Sequence, residues 1–254
     1  MLGVQILRKD LQRTMKPIYE PKGKAKEYGD YAINIYTGCP HRCFYCFAPN
    51  VLHREREIFH SNVKPRENIV EETVNQIKRE NITNKLIHLC FTCDPFPMEC
   101  ENLAPTRDII LALKQFGNHV QILTKNGIDA PNVFDLLDED DWFGVSLDGT
   151  DGNPHVSSEV DRVCAIIEAH RRGIKTWISF EPVVNAERVM SLICTVAPFV
   201  DKIKIGKLNY HPSDIDWAKF GNEAVDLCKK LGVDYYIKES LRACMEETDE
   251  SSID

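Results

Sequence analysis

Three closely spaced cysteines carry the sharpest chemistry in this chain. In the stretch 32–50, AINIYTGCPHRCFYCFAPN, Cys39, Cys43 and Cys46 form a C-x3-C-x2-C array. An apolar run from Ala32 to Tyr36 feeds straight into it, and Gly38 and Pro40 bend the joining loop. Thiolates are soft ligands that suit iron–sulfur clusters, zinc or copper(I). A cubane cluster usually takes four cysteines, and four nitrogen or sulfur ligands close a structural zinc site. Three thiolates on one loop leave one metal position uncommitted, which is what a catalytic metal needs. The structural alternative is a zinc knuckle that borrows a fourth ligand such as His41.

The elements that must position this loop follow from periodicity. Strands are expected at Ala32–Tyr36, Leu86–Phe91, Val120–Leu123, Trp142–Leu147, Lys175–Phe180 and Lys202–Ile205, with a strand-like run at Tyr235–Ile237. The continuous apolar run Leu86–Phe91 suits a parallel strand buried on both faces. Between the strands lie helical stripes: Ile69, Val70, Thr73, Val74 and Ile77; then Ile109, Ile110, Leu113 and Phe116, with Thr106 as N-cap and Gly117 as stop. A short helix is expected around Val133–Leu137. Val160, Val163, Ile166, Ile167 and His170 give a further stripe, ended by Gly173. Val189, Leu192, Ile193 and Val196, then Phe220, Ala224, Leu227 and Leu231 before Gly232, complete the set. This alternation means βαβ units and a parallel sheet. A doubly wound open sheet is the alternative to a barrel. No G-x-G-x-x-G follows the first strand and there is no P-loop, which argues against a Rossmann dinucleotide site.

The motif, with its aromatic Tyr45 just before the last cysteine, resembles the radical S-adenosylmethionine (SAM) superfamily. The longer stretch GKAKEYGDYAINIYTGC, followed by C-F-Y-C-F-A, is similar to the spore photoproduct lyase-like branch. The resemblance covers about residues 22–210. It implies an α/β fold, a partial (β/α)6 TIM-like barrel, in which Cys39, Cys43 and Cys46 bind three irons of a [4Fe–4S] cluster. SAM then binds the fourth iron through its amino and carboxylate groups. One electron, from a flavodoxin or ferredoxin-like donor, cleaves SAM to methionine and a 5'-deoxyadenosyl radical, which abstracts hydrogen from a substrate in the barrel mouth. On this reading residues 1–31 are a lead-in, 32–240 the barrel domain and 241–254 an acidic tail.

Functional groups of α/β barrels gather at the C-terminal ends of the strands. Here those ends carry the cysteine loop, Thr92-Cys93-Asp94-Pro95, Thr124-Lys125-Asn126, Ser146 with Asp148, Ser179 with Glu181 and Pro182, and Lys204, Lys207 and Asn209. For SAM, Asp94 suits the ammonium, Lys125 the carboxylate, Ser146 the ribose, and Tyr45 or Phe47 the adenine. The resemblance places Cys93, Asp94, Lys125 and Ser146 where the family contacts SAM. Asp94 as a loop cap before Pro95, and Lys125 as a surface residue, are the structural alternatives. Glu181 could bind the ribose or amino group, take a substrate proton, or pair with Lys204. Arg54 and Arg56, in His53-Arg54-Glu55-Arg56, could hold an anionic substrate or the SAM carboxylate, or simply form ion pairs at a helix start.

Substrate identity turns on Cys90 and Cys93. In the spore DNA lesion lyase a cysteine immediately before T-x-D returns hydrogen to the substrate; here that place is Phe91. Strand alternation sets Cys90 and Phe91 on opposite faces; Cys93 could substitute as the catalytic thiol or simply line the SAM site, and a nucleic-acid lesion lyase is the alternative function that the resemblance implies. Cys90, Cys93 and Cys100 have no strong spacing for a second cluster. Ten cysteines without a signal-like N-terminus point to a reducing, cytoplasmic setting rather than to disulfides; Cys164, Cys194 and Cys228 are expected in helical cores. Trp142, Trp177 and Trp217 read as packing. No stretch approaches the roughly 20 apolar residues of a membrane span. A net charge of −8 weighs against nonspecific nucleic-acid binding, although the first 26 residues carry seven Lys/Arg against two acids and the last nine residues carry five acids.

Overall fold

The computed structural model describes residues 16–98, 100 and 102–250, without the side chains of 247–250. The basic residues Arg8, Lys9 and Arg13, and the last four residues of the acidic end, lie outside the described part. One eight-stranded sheet runs in chain order: β1 (Ile18–Tyr19), β2 (Tyr31–Ile33), β3 (Leu86–Leu89), β4 (His119–Thr124), β5 (Trp142–Ser146), β6 (Lys175–Val183), β7 (Lys202–Lys207) and β8 (Asp234–Ile237). Strands β2 to β8 are parallel and β1 is antiparallel on the β2 edge. Among the described residues no ladder joins β8 to β1. The fold is the partial, TIM-like barrel, its six expected strands extended by β1 and β8.

The helices cover the sheet from outside. They are α1 (Ala48–Val51), α2 (Arg56–Ser61), α3 (Ile69–Glu80), α4 (Ala104–Gln115), α5 (Glu159–Arg171), α6 (Ala186–Val196), α7 (Trp217–Leu231) and α8 (Glu239–Glu250). A 3-10 turn, Ala130–Leu136, stands between β4 and β5. Gly117, Gly173 and Gly232 follow their helices with positive φ, as expected of helix stops.

Four local expectations are corrected. Helix α4 starts at Ala104, not after Thr106, because Pro105 fits the first turn, where its missing N–H goes unused; the buried Thr106 hydroxyl donates instead to the Pro95 carbonyl at 2.6 Å. Helix α5 buries Arg162, Ala165, Ile166 and Ala169, while Val160 is 66% exposed. The face is turned because the Arg162 guanidinium reaches inward to the Ser146 carbonyl at 2.7 Å. Of the three helical cysteines only Cys228 is buried; Cys164 and Cys194 are exposed. The C-terminal segment continues as α8, which packs on α7 and buries Leu241.

The segment between β1 and β2 spans the open side of the barrel. From β1 on the β2 edge the chain crosses to β8. There Glu27 pairs with Lys238 at 3.2 Å and accepts hydrogen bonds from the Tyr236 hydroxyl and the Glu239 N–H, and its carbonyl accepts from Lys204 at 2.8 Å. The next residue, Tyr28, enters the barrel interior, where its hydroxyl meets Glu181 and Ser179. Around it lie His88, Phe91, Trp177 and Lys204. Trp177 lies so close to β5 that a side chain at Gly144 would overlap its indole ring.

Lys204 is buried with one carbonyl partner and the rings of Tyr28, Trp177 and Tyr236 around it. Burial first, and then the neighbouring charge of Lys238, lower its pKa from 10.5 to about 8. Between those values the unfolded chain holds a proton that the folded chain has lost, so the folded state gains stability as pH rises through that window. Relative to Lys204→Met, the wild type is expected to gain about 2 kcal/mol between pH 8 and 10, measured by urea unfolding at both pH values.

Candidate active site

The cysteine loop is held by its backbone, which leaves its thiols free. Gly38 passes so close to α2 that a Cβ would collide with the Phe59 carbonyl. The Arg56 guanidinium donates to the carbonyls of Cys43, Phe44 (3.1 Å) and Cys46 (3.3 Å). Arg54 donates to the Thr37 carbonyl, and Glu55 caps α2 by accepting from the N–H groups of Glu57 and Ile58. Buried His60 lies with Nδ1 2.7 Å from the Cys39 carbonyl, so Nδ1 carries the proton. Arg54 and Arg56 therefore bind the loop's own backbone.

The thiols of Cys39, Cys43 and Cys46 are half-buried. Burial raises the pKa of each; Asp94 adds to this at Cys39, while Lys125 opposes it at Cys43. A cation bound to the sulfurs reverses that preference, because a coordinating thiol is deprotonated outright. The donor set fits a cluster better than a zinc ion. A tetrahedral zinc with Zn–S bonds of about 2.3 Å holds its sulfurs about 3.8 Å apart. Among the described residues the sulfurs of Cys39, Cys43 and Cys46 are not all within 4.8 Å of one another. His41 is already committed: its Nε2 accepts from the Met98 N–H at 3.2 Å and its Nδ1 faces Asp94 at 3.5 Å.

Above the loop, three strand ends meet. Asp94 is buried; its Oδ1 accepts from Thr124 (2.6 Å) and Phe96 N–H (2.8 Å), and its Oδ2 from Lys125 N–H (2.9 Å). It thereby ties the end of β3 to the end of β4. The Lys125 ammonium lies 3.2 Å from Asp148 and 5.5 Å from the centre of the Tyr45 ring. The Tyr45 hydroxyl donates to the same Asp148 oxygen, and Thr150 donates twice to the other. Burial would raise the Asp148 pKa, but Lys125, Tyr45 and Thr150 outweigh it and hold the carboxyl well below the ordinary range. Cysteine loop, β4 and β5 are thus joined by one Tyr45–Asp148–Lys125 clasp.

The other sequence candidates are more dispersed. Ser146 is buried, with its hydroxyl 3.4 Å from the Glu181 carbonyl. Glu181 points into the barrel and pairs with Lys238 at 2.7 Å and with Tyr28; Lys204 goes to the Glu27 carbonyl instead. Phe47 is half exposed at the start of α1. Strand β3 ends at Leu89 and Cys90 has φ +69°, so alternation stops before Phe91. Phe91 still turns inward, stacked on His88 at 4.2 Å, while Cys90 hydrogen-bonds Cys93. Burial, with the Cys90 and Cys93 thiols adding to it, raises the nearby Tyr19 hydroxyl to about 12.

Asp148 was placed at a strand end without a role, and Tyr28 and Lys238 were missed. A polar residue following β5 was the available signal for Asp148. Tyr28 and Lys238 had none, since their partners are more than 150 residues away in the chain or are reached only through the closed strap. A cleft of about 490 Å³ opens beyond β7, lined by Lys207, Asn209, Tyr210, His211 and Trp217. The His211 ring lies 5.3 Å edge-on to Phe44 of the cysteine loop.

The family model described as the Radical SAM superfamily matches residues 33–186. The chain belongs to the radical SAM superfamily. It is an enzyme that cleaves S-adenosylmethionine reductively at a [4Fe–4S] cluster. Its fold is similar to that of a spore photoproduct lyase complexed with dinucleoside spore photoproduct (TM-score 0.65, 14% identity, 89% of this chain and 80% of that one). It is similar also to a point mutant of spore photoproduct lyase (TM-score 0.68, 13% identity, 89% and 80%). A third similar structure is Streptococcus suis SuiB bound to S-adenosylmethionine (TM-score 0.62, 12% identity, 88% and 50%). No curated protein sequence matches the chain. Among the described residues no helix is long and apolar enough to cross a membrane.

Because Arg56 fixes three carbonyls of the loop, Arg56→Ala is expected to release iron to a chelator roughly tenfold or more faster than wild type, the usual scale for losing an outer-shell contact. Anaerobic chelator kinetics on the reconstituted protein measure this, with the circular dichroism spectrum as the control for folding.

Proposed function

We propose that the Tyr45–Asp148–Lys125 clasp is the receptor for SAM and that the mouth of the barrel above it receives the substrate. One observation carries this reading: a partly buried lysine and a buried aspartate form an ion pair directly on the cysteine loop. The amino-acid end of SAM has both an ammonium and a carboxylate, and this pair offers a partner for each. Lys125 takes the carboxylate and Asp148 the ammonium. Asp94 positions Lys125 through its main-chain N–H. Tyr45, already under a cation, offers its face to the adenine, and Ser146 its hydroxyl to the ribose. A [4Fe–4S] cluster on Cys39, Cys43 and Cys46 supplies the electron for cleavage, replenished by a flavodoxin or ferredoxin-like donor.

Glu181, held by Lys238 and Tyr28, bounds the substrate chamber from below. Cys93 is the thiol we assign to hydrogen return, with Cys90 against it. The substrate is organic and carries an abstractable hydrogen. A nucleic-acid lesion is the second reading. It is supported by the fold's likeness to the lyase complexed with a dinucleoside spore photoproduct, and opposed by Phe91 before T-x-D and by the charge of −8.

Anaerobic reconstitution with counting of iron and sulfide, and electron paramagnetic resonance of the reduced protein with and without SAM, tests the site. About four irons per chain and a spectrum shifted by SAM are expected. Lys125→Ala and Asp148→Asn should keep the iron and weaken SAM binding about tenfold or more. Cys93→Ala should still form 5'-deoxyadenosine. Stoichiometric zinc with no response to SAM would contradict the proposal. Salt-sensitive binding to damaged DNA would favour the second reading.

A further inference from the structure

The loop between β7 and α7 carries groups that neither the cysteine loop nor the Tyr45–Asp148–Lys125 clasp uses. It lines the cleft of about 490 Å³ with Lys207, Asn209, Tyr210, His211 and Trp217, and no Asp or Glu lines it. That volume suits a small-molecule site. A further group comes from the strap. Lys24, in the turn Gly23–Glu27, donates to Asn209 Oδ1 at 3.1 Å and lies 5.2 Å from the centre of the Tyr210 ring. The Lys207 ammonium lies 3.2 Å from the Cys244 sulfur of α8. Among the described residues neither lysine pairs with a carboxylate, whereas Lys114, Lys125, Lys202 and Lys238 each do. An ammonium set beside an amide oxygen, a ring or a thiol has no counter-charge of its own. Tyr210 is 89% exposed and has φ +64°, a left-handed conformation that a bulky residue adopts only where its surroundings impose it. The loop therefore holds a flat ring out in water beside two cations.

The cleft adjoins the mouth of the barrel on two sides. Gly206, just before Lys207, lies so close to Glu181 that a Cβ would stand 3.0 Å from its side chain. On the other side the His211 ring meets Phe44 edge-on, and Phe44 in turn lies edge-on to Tyr45, with ring centres 4.8 Å apart. We propose that this cleft is the specificity subsite for the substrate, and that it takes an oxyanion, phosphate or carboxylate, carried on a flat ring. Lys24 and Lys207 hold the anion, and Tyr210 lies against the ring. The proposal rests on the reading of the barrel mouth as the substrate chamber. A small molecule fits the cleft better than a polyanion. The cleft offers two cations, in a chain of net charge −8, while a nucleic acid is bound through a row of phosphates.

The test uses the full-length, cluster-loaded protein under anaerobic conditions. Phenyl phosphate and benzoate are the probes, with inorganic phosphate and benzyl alcohol as controls, and binding is read by ligand-observed NMR titration. At least one probe is expected to bind the wild type more tightly than either control, and the tighter of the two identifies the oxyanion. Lys24→Met and Lys207→Met should each weaken that probe about fivefold and leave benzyl alcohol unchanged. Lys207→Arg, which keeps the charge, should retain most of the affinity, and this separates loss of the ammonium from loss of the fold. Tyr210→Ala should weaken the aromatic probe about threefold and leave inorganic phosphate unchanged. Equal affinity of the wild type and both methionine variants, or no binding of either probe by the wild type, would overturn the proposal. Displacement of the probe by a single-stranded oligonucleotide, with steep salt dependence, would replace the small molecule by a nucleic acid. A wild-type spectrum that SAM leaves unchanged would strike the SAM reading instead, and the probe affinities would still decide the cleft.

Discussion

A loop that presents three thiols to a metal has to be held by something other than those thiols. Here the holding is done through main-chain carbonyls. Arg56 gathers those of Cys43, Phe44 and Cys46, His60 takes that of Cys39, and Arg54 that of Thr37. A planar guanidinium can serve several carbonyls at once and cannot lose its charge. The loop is shaped from behind by α2, and its three sulfurs are not all within 4.8 Å of one another. Gly38 completes the arrangement, since no larger residue fits against the Phe59 carbonyl.

On the opposite side of the thiols the constraint is electrostatic. Asp148 would be expensive to bury ionised if it were alone. Lys125, the Tyr45 hydroxyl and Thr150 give it enough partners to keep its charge. The resulting clasp links the loop to β4 and β5, so the group we propose as the SAM receptor is also the group that fixes the loop. Deeper in the barrel, Lys238 lies between Glu27 and Glu181, while Lys204 has a carbonyl and aromatic faces only. The interior is therefore charged and paired rather than simply packed. The strap that carries Glu27 and Tyr28 is what seals it from the open side.

The alternation of strand and helix, the cysteine loop after a strand and the polar strand ends were legible because each depends on local pattern. Apolar runs of buried parallel strands and ligand spacing are both short-range signals. Asp94 and Lys125 were recognised as strand-end residues. Their sequence did not say that Asp94 spends its oxygens on Thr124, Phe96 and the Lys125 backbone. Helix α5 shows the same limit: Val160 promised to join the apolar face, but Arg162 found carbonyl partners inside and Val160 is exposed. Cys164 and Cys194 looked like core residues because composition gives no direction on a helix.

The sequence by itself determined that this chain alternates strand and helix, that Cys39, Cys43 and Cys46 share one short loop, and that polar residues follow the strands. Spacing along the chain is enough for these. Tertiary structure alone decided that Asp148 joins Tyr45 and Lys125, that Tyr28 enters the barrel from the lead-in, and that Glu181 answers to Lys238. Those partners are brought together only when the sheet curls and the strap crosses its open side. A charged residue's partner is chosen by what lies within a few ångströms after burial, and sequence separation carries no information about that distance.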